Sequence, residues 1–346
     1  MQTEIIRVFD EAFRYIGVCD DYSYLNYKKS FAEAGDLTMR VVFTKENYAL
    51  YSTCAYLCVP DGGCFAVDAV YSDGETVTVR GRDVLALFDR AVFPRLETLS
   101  GAGGAILCSL AAAGASALPL PLRTEGLDVG EAAVYDAIPD SLYVILREAA
   151  AVFGMGMELR YDFESEEFVF AAKAVVDRTA GQTARVPLIL GRDRENLAEE
   201  YYASDRSDYR NGAVVVGEGA DGGLLSVTVP APAGEPPRYL YRAARAFTAG
   251  QFETEETYRA ALYRLGEVAL ASHRPRLTYT AILNPNGEET VAPGDRATVR
   301  ALSGGELFDA VVVTTETRYD GGNYERRIVA GTILPTASDL FGRKSY

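Results

Sequence analysis

Carboxylates are the most plentiful side chains in this sequence that could do chemistry. Glu164, Glu166 and Glu167 fall within Asp162-Phe163-Glu164-Ser165-Glu166-Glu167-Phe168, between two apparent strands. Glycoside hydrolysis needs two carboxyl groups facing each other across a sugar, and neighbours at a turn do not stand that way. The cluster reads as a solvated hairpin turn. Glu199-Glu200 reads similarly, and Glu253-Glu255-Glu256 fits the acidic first turn of a helix.

His273 is the only histidine, so any Ser-His-Asp or Cys-His site would have to be built on it. It ends the helix-like run Glu255 to Ser272 and precedes Arg274-Pro275, where a cation favours a helix C-terminus. Of the five cysteines, Cys54, Cys58 and Cys64 lie close together, but structural zinc favours paired knuckles or histidines. Cys54, Tyr56 and Cys58 share one face of a strand, and reduced, partly buried thiols are expected. Ser100-Gly101-Ala102-Gly103-Gly104 lacks the lysine and spacing of a phosphate loop and reads as a hinge between domains. No catalytic, cofactor or metal residue is nominated.

The elements that would have to position such groups are mostly strands. From Ile5 to Val79, short β-rich runs alternate with turn residues: Ile5–Phe9, Tyr15–Cys19, Leu25–Phe31, Leu37–Phe43, Ala55–Val59, Phe65–Tyr71 and Thr76–Arg80. This spacing suggests a barrel or sandwich. Gly81-Arg82-Asp83 opens a short helix through Phe88 with Asp83 as N-cap. Residues 101–185 read as an α+β insertion, with a helix from about Ser141 to Phe153 ended by Gly154 and strands at Met157–Tyr161 and Phe168–Ala172. From Val186 strands return at Leu197–Tyr202, Ala213–Val216, Leu224–Val229 and Arg276–Leu283, with a helix from about Thr254 to Ser272 before the last. Three more follow at Ala297–Ala301, Asp309–Arg318 and Tyr324–Ala330, and the tail Asp339–Tyr346 is expected to fray.

An internal echo links the two ends. Leu57 to Gly81 and Val299 to Gly331 both read as strand, Gly-Gly turn, long strand, Asp-Gly turn, strand, closing glycine. If the echo is structural, two related β-domains lie near the ends, with the α+β segment between them.

Composition narrows the function classes. The 346 residues hold 49 acidic and 34 basic side chains, a net charge of −15, which argues against a grip that tracks a phosphate backbone. It does not exclude a surface that lets DNA pass. The N-terminus carries acidic residues where a signal peptide needs an apolar core, so no signal peptide is expected. The uncharged stretch Ala105 to Leu122 contains Gly114, Pro119 and Pro121, and reads as a packed helix and a stiff loop, not a membrane span.

Several segments resemble the tail-hub proteins of siphophages. Tyr27-Lys28-Lys29-Ser30-Phe31 with Ala34-Gly35-Asp36-Leu37-Thr38-Met39 is similar to that family's aromatic-basic strand followed by a glycine and a second strand. Tyr27 stands where the family often has Trp, and Leu37 where it often has Phe. Gly81 to Arg90 resembles the close of the family's first domain. The likeness resumes at Asn196-Leu197, at Asn211 to Gly217, in the helix Tyr258–Ser272 with Leu265-Gly266-Glu267, and at Gly294-Asp295.

The resemblance implies a baseplate or tail-tip hub: a homotrimer in which each chain supplies two tube-like β-barrels. Three such chains would form a pseudo-sixfold ring under a sixfold tail tube, with threefold symmetry below. The fold class expected is therefore mainly β with an α+β insertion and two tail-tube-like β-barrel domains per chain. The expected domains are 1–100 (first barrel), 101–185 (insertion), 186–335 (second barrel, with the helical insertion near 254–272) and 336–346 (tail). The resemblance further implies a virion tail protein that is not an enzyme and needs no cofactor. Its partners would be a tail tube or distal tail protein above, and a tape-measure protein and tip, fibre or receptor-binding proteins below. DNA would pass without specific binding, along a wall expected to carry carboxylates. The rival reading is a carbohydrate-binding or carbohydrate-degrading β-protein. It would use tyrosine platforms such as Tyr201-Tyr202 or Tyr239 with Tyr241, or the Glu164, Glu166 and Glu167 cluster, although the chain has no Trp.

Overall fold

The structure is a computed structural model that describes residues 4–94, 97–137, 140–244, 248–252, 254–271, 273, 275–284, 290–301 and 305–331. The N-terminal strands are β1 (Ile6–Phe9), β2 (Tyr15–Cys19), β3 (Tyr24–Ser30), β4 (Asp36–Val42), β5 (Tyr56–Cys58), β6 (Cys64–Ser72) and β7 (Thr76–Asp83). Their period-two alternation sends Leu25, Tyr27, Leu37, Met39, Val41, Val77 and Val79 into one buried cluster. Helix α1 (Lys45–Thr53) caps that cluster with the buried Tyr51. The sequence reading missed this helix, whose start is marked by Thr44 accepting from the Asn47 amide at 3.0 Å. Asp83 caps the 3-10 turn Val84–Arg90 as expected, accepting from the Leu85 amide at 2.9 Å.

The middle region opens with β8 (Val92–Phe93), β9 (Glu97–Ala102) and helix α2 (Gly103–Ala113). It continues through β10 (Leu122–Glu125), β11 (Ala132–Ala137), β12 (Asp140–Ser141), helix α3 (Leu142–Phe153), β13 (Gly156–Asp162) and β14 (Glu167–Lys173). Helices α2 and α3 and the sheet β10-β14-β13 enclose the largest apolar cluster, which also takes in Phe9, Phe13 and Tyr56. The hinge expected at Ser100 to Gly104 is instead an anchored strand–helix junction. The Gly103 and Gly104 amides donate to Glu131 O and Val129 O, and a Cβ on Gly104 would lie 2.0 Å from Gly126 O. The glycines are there for close packing, not for motion.

Strands β15 (Val176–Asp177), β16 (Ile189–Leu190) and β17 (Leu197–Asp205) lead to a short sheet of β18 (Gly212–Glu218), β19 (Leu224–Val229) and β20 (Tyr239–Ala243). Helix α4 (Glu255–Ala271) packs on this sheet through Tyr258 and Leu262. The chain ends its described course with β21 (Arg276–Leu283), β22 (Asp295–Ala301), β23 (Glu306–Asp320) and β24 (Asn323–Gly331). The described residues of Met1–Tyr202 and Thr278–Ile333 form one compact unit, and those of Ala203–Leu277 form a second. The expected tail, 336–346, lies outside the described residues, as does most of the second Gly-Gly turn.

The architecture is mainly β, as expected. One fourteen-stranded sheet follows the order β17-β21-β24-β23-β3-β4-β7-β6-β5-β1-β2, with β22 on β23 and β15 and β16 on β22. Among the described residues these pairings form an open path, not a closed ring. The order contains a repeat deeper than the sequence echo. β5-β6-β7-β4-β3 in the first part is matched by β22-β23-β24-β21-β17 in the last. Both middle strands are bulged, at Val67/Ala69 in β6 and at Val312/Thr314 in β23. The two halves join where β3 pairs antiparallel with β23, from Tyr24 opposite Asp320 to Ser30 opposite Thr314.

Candidate functional site

Alternation along β3, β4, β7, β23 and β24 fixes two unlike faces. Leu25, Leu37, Val79 and Ile328 are buried, and the opposite positions are polar. The polar face carries Lys28, Arg40, Arg80, Arg82, Arg318 and Arg327 against Asp36, Asp68, Glu316, Asp320 and Glu325. All five carboxylates are ion-paired: Lys28 with Asp36 (3.3 Å), Arg82 with Asp68 (2.8 Å), Arg318 with Asp320 (2.7 Å), and Arg327 with Glu325 (3.1 Å) and Glu316 (3.9 Å). Arg40 and Arg80 make no ion pair among the described residues. They lie over the rings of Tyr24 and Tyr71, at 4.7 and 5.5 Å from the centroids. The surface is broad, polar and nearly neutral, unlike the chain as a whole.

Beneath the sheet, on its inner side, lies a cavity of about 460 Å³. Tyr27, Thr315, Thr317 and Arg326 enter it from β3, β23 and β24, Asp83 and Leu85 from the first β region, and Met157 and Glu158 from β13. Its charges are mostly matched: Lys29 pairs with Asp61, and Lys173 with Glu158. Asp83 is pushed up to about 7, chiefly by burial, with Glu158 adding and the Leu85 amide and Lys29 opposing. Burial also raises Glu4, against the hydrogen bond its carboxylate accepts from Tyr27 Oη at 3.1 Å. The hydroxyl–carboxylate contact of Tyr27 with Glu4 lies in this lining, and burial raises the Tyr27 phenol, which keeps it protonated and a poor nucleophile.

The residues singled out from the sequence are scattered. Glu164, Glu166 and Glu167 lie at the turn between β13 and β14, and Glu167 accepts from Arg123 Nε at 2.6 Å. His273 sits just past α4 with Nδ1 2.9 Å from the Ala269 carbonyl oxygen, which suits a cap of the last turn. Tyr201 is exposed while Tyr202 packs on Phe308, with ring centroids 5.4 Å apart, so that pair offers no platform. Tyr239 and Tyr241 do share an exposed face of β20, being 49% and 68% exposed.

The cysteine expectation is corrected. Cys58 and Cys64 stand directly opposite each other on β5 and β6 and are joined as a disulfide, while Cys19, Cys54 and Cys108 are free and buried. The tight turn between the strands brings the pair together, which a reading by compartment did not capture. Among the described residues, no group of three or more His, Cys, Asp or Glu side chains is placed to hold a metal. Nor is any helix among them long and apolar enough to cross a membrane. The polar face itself was not singled out from the sequence, although the alternation Asp36-Thr38-Arg40 and Thr76-Thr78-Arg80-Arg82 marks its two central strands.

No protein-family model and no curated protein matches the sequence. The fold does match solved structures along nearly its whole length. The 43 kDa tail protein of prophage MuSo2 from Shewanella oneidensis superposes with a TM-score of 0.60 at 14% identity, over 94% of this chain and 98% of that one. A prophage tail protein from Listeria monocytogenes gives 0.56 at 12% identity, over 98% and 97%. A tail protein from Neisseria meningitidis gives 0.56 at 12%, over 95% and 96%. The chain has the fold of these phage tail proteins, as its resemblance to tail hubs implied.

Proposed function

We propose that this chain is a structural component of a phage tail, a hub at the baseplate or tail tip through which DNA passes. The observation that carries this reading is the match to a prophage tail protein over 94% of this chain and 98% of that one, with no large part of either left over. Three copies form a ring below the tail tube, adapting its sixfold symmetry to a threefold tip. Each copy supplies two tube-like β-barrel domains, one built on β3 to β7 and the other on β17 and β21 to β24. The repeat in strand order supports this reading, because two similar modules per chain suit a pseudo-sixfold ring.

On this reading the polar face of the large sheet lines the channel. Five carboxylates stand on that face, in keeping with a wall expected to carry them, and each is balanced by a cation. Ion pairs neutralise most of the wall's charge, so it neither holds phosphates strongly nor repels them. The protein works without catalysis, and its partners are a tube or distal tail protein above, and a tape-measure protein and tip, fibre or receptor-binding proteins below. It resides in the virion tail. Mass spectrometry of purified particles tests this: the chain should be present in isolated tails, and particles lacking it should have defective tails. Normal, DNA-injecting tails without the chain would overturn the proposal.

A further inference from the structure

The chain already shows how one half of its sheet joins another. β3 runs along the part of β23 beyond the bulge, where Asn26 Nδ2 donates to Glu316 Oε1 at 2.9 Å and the Ser30 and Thr314 hydroxyls lie 3.1 Å apart. In the repeat of strand order, β17 stands where β3 stands, and β6 stands where β23 stands. Among the described residues each of these two counterparts has an open edge. Among the described residues β17 pairs only with β21. β6 meets β5 and the residue before it through Cys64 to Val67, so among the described residues one edge of Ala69 to Ser72, beyond its own bulge, is free. Open edges of this kind are templates for pairing.

We infer that β17 of one copy adds antiparallel to the free edge of β6 in the next copy, repeating between chains the contact that β3 and β23 make within one. The inference rests on the ring reading above and names the strands that would close the ring. The contact is heterologous, head to tail, which is the kind that generates rings.

Side chains at the two edges agree in charge and exposure. Glu200 and Tyr202 turn inward, accepting from Tyr279 Oη and packing on Phe308, so Glu199 and Tyr201 turn outward. Glu199 is exposed and has no partner among the described residues. Across the sheet, Arg80 of β7 sits opposite Ala69 of β6, exposed and without a carboxylate. Tyr201 and Tyr71 are 66% and 53% exposed, large areas for strand residues. Placing β17 beside β6 brings an unpaired carboxylate to the face of an unpaired guanidinium and covers both rings.

Hydrogen exchange on the full chain, compared between dilute and assembled protein, tests the pairing directly. Amides of Leu197–Tyr202 and Ala69–Ser72 should gain protection on assembly. Charge exchange gives a second readout by native mass against protein concentration. Glu199→Arg and Arg80→Glu should each weaken association by about tenfold, and the double exchange should restore it. Both sites are exposed, so unchanged thermal melting will show that the variants fold. A ring that forms with both edges unprotected, or single variants that assemble like the parent chain, would overturn the inference and leave the hub reading standing. A chain that never associates would overturn both.

Discussion

Asp83 offers the sharpest test of the interior. Its side chain caps the turn Val84–Arg90 and borders the cavity that also holds Glu158, Lys29, Asp61 and Glu4. Burial lifts its carboxyl from 3.8 to about 7. A raised value means that the folded chain holds this proton more tightly than the unfolded one. The resulting stability is therefore fully present below about pH 4 and is lost as pH rises through 7. A gap of this size corresponds to a loss of at most ~4 kcal/mol between pH 4 and pH 8. This is a ceiling, since the residue keeps some accessible surface. In Asp83→Asn the amide oxygen can still accept from Leu85, but no proton is exchanged. Urea unfolding of both proteins from pH 4.5 to 8 isolates the residue. The two should have similar midpoints at pH 4.5, and the variant should be more stable by a few kcal/mol at pH 8. Parallel pH profiles would refute the account of Asp83.

Three further outcomes are expected. Gly35→Ala places a Cβ 1.8 Å from Lys28 O, so the β3–β4 connection must shift, and thermal melting should show a loss of about 3 kcal/mol or more. Alkylation of the unfolded, unreduced chain should modify Cys19, Cys54 and Cys108 only, and reducing the short loop closed by Cys58 and Cys64 should cost roughly 2 kcal/mol. Joint replacement of Glu164, Glu166 and Glu167 by Gln, or of Tyr239 and Tyr241 by Ala, should leave assembly intact. Glycan binding by the parent chain that either change abolishes would revive the carbohydrate reading.

Much of the local structure was legible because burial on one face forces period-two patterning. Tyr15–Cys19, Leu224–Val229 and Arg276–Leu283 match their observed strands end for end. Helix α1 was missed because KENYALYST lacks an apolar stripe, and only Tyr51 of its nine residues is buried. β20 was missed because YLYRA is short and lies behind a proline-rich segment. Pairing partners were the least legible part. Asn26 and Glu316 are 290 residues apart, and nothing local to β3 announces β23. The echo between Leu57–Gly81 and Val299–Gly331 caught three strands of each repeat. It missed that β17 and β21 complete the second one, because the residues of the smaller unit intervene between them. The candidate surface was hidden for the same reason: Arg40 and Arg318 share the ring of Tyr24, yet they belong to strands at opposite ends of the sequence.

The central claim is that copies of this chain close a ring around a channel. Native mass measurement with electron microscopy of the purified full chain, at high protein concentration, tests it most directly. The account predicts a trimer seen end-on as a ring with a central opening and six similar lobes. A particle with a closed centre, or a chain that stays monomeric at every concentration, would contradict it.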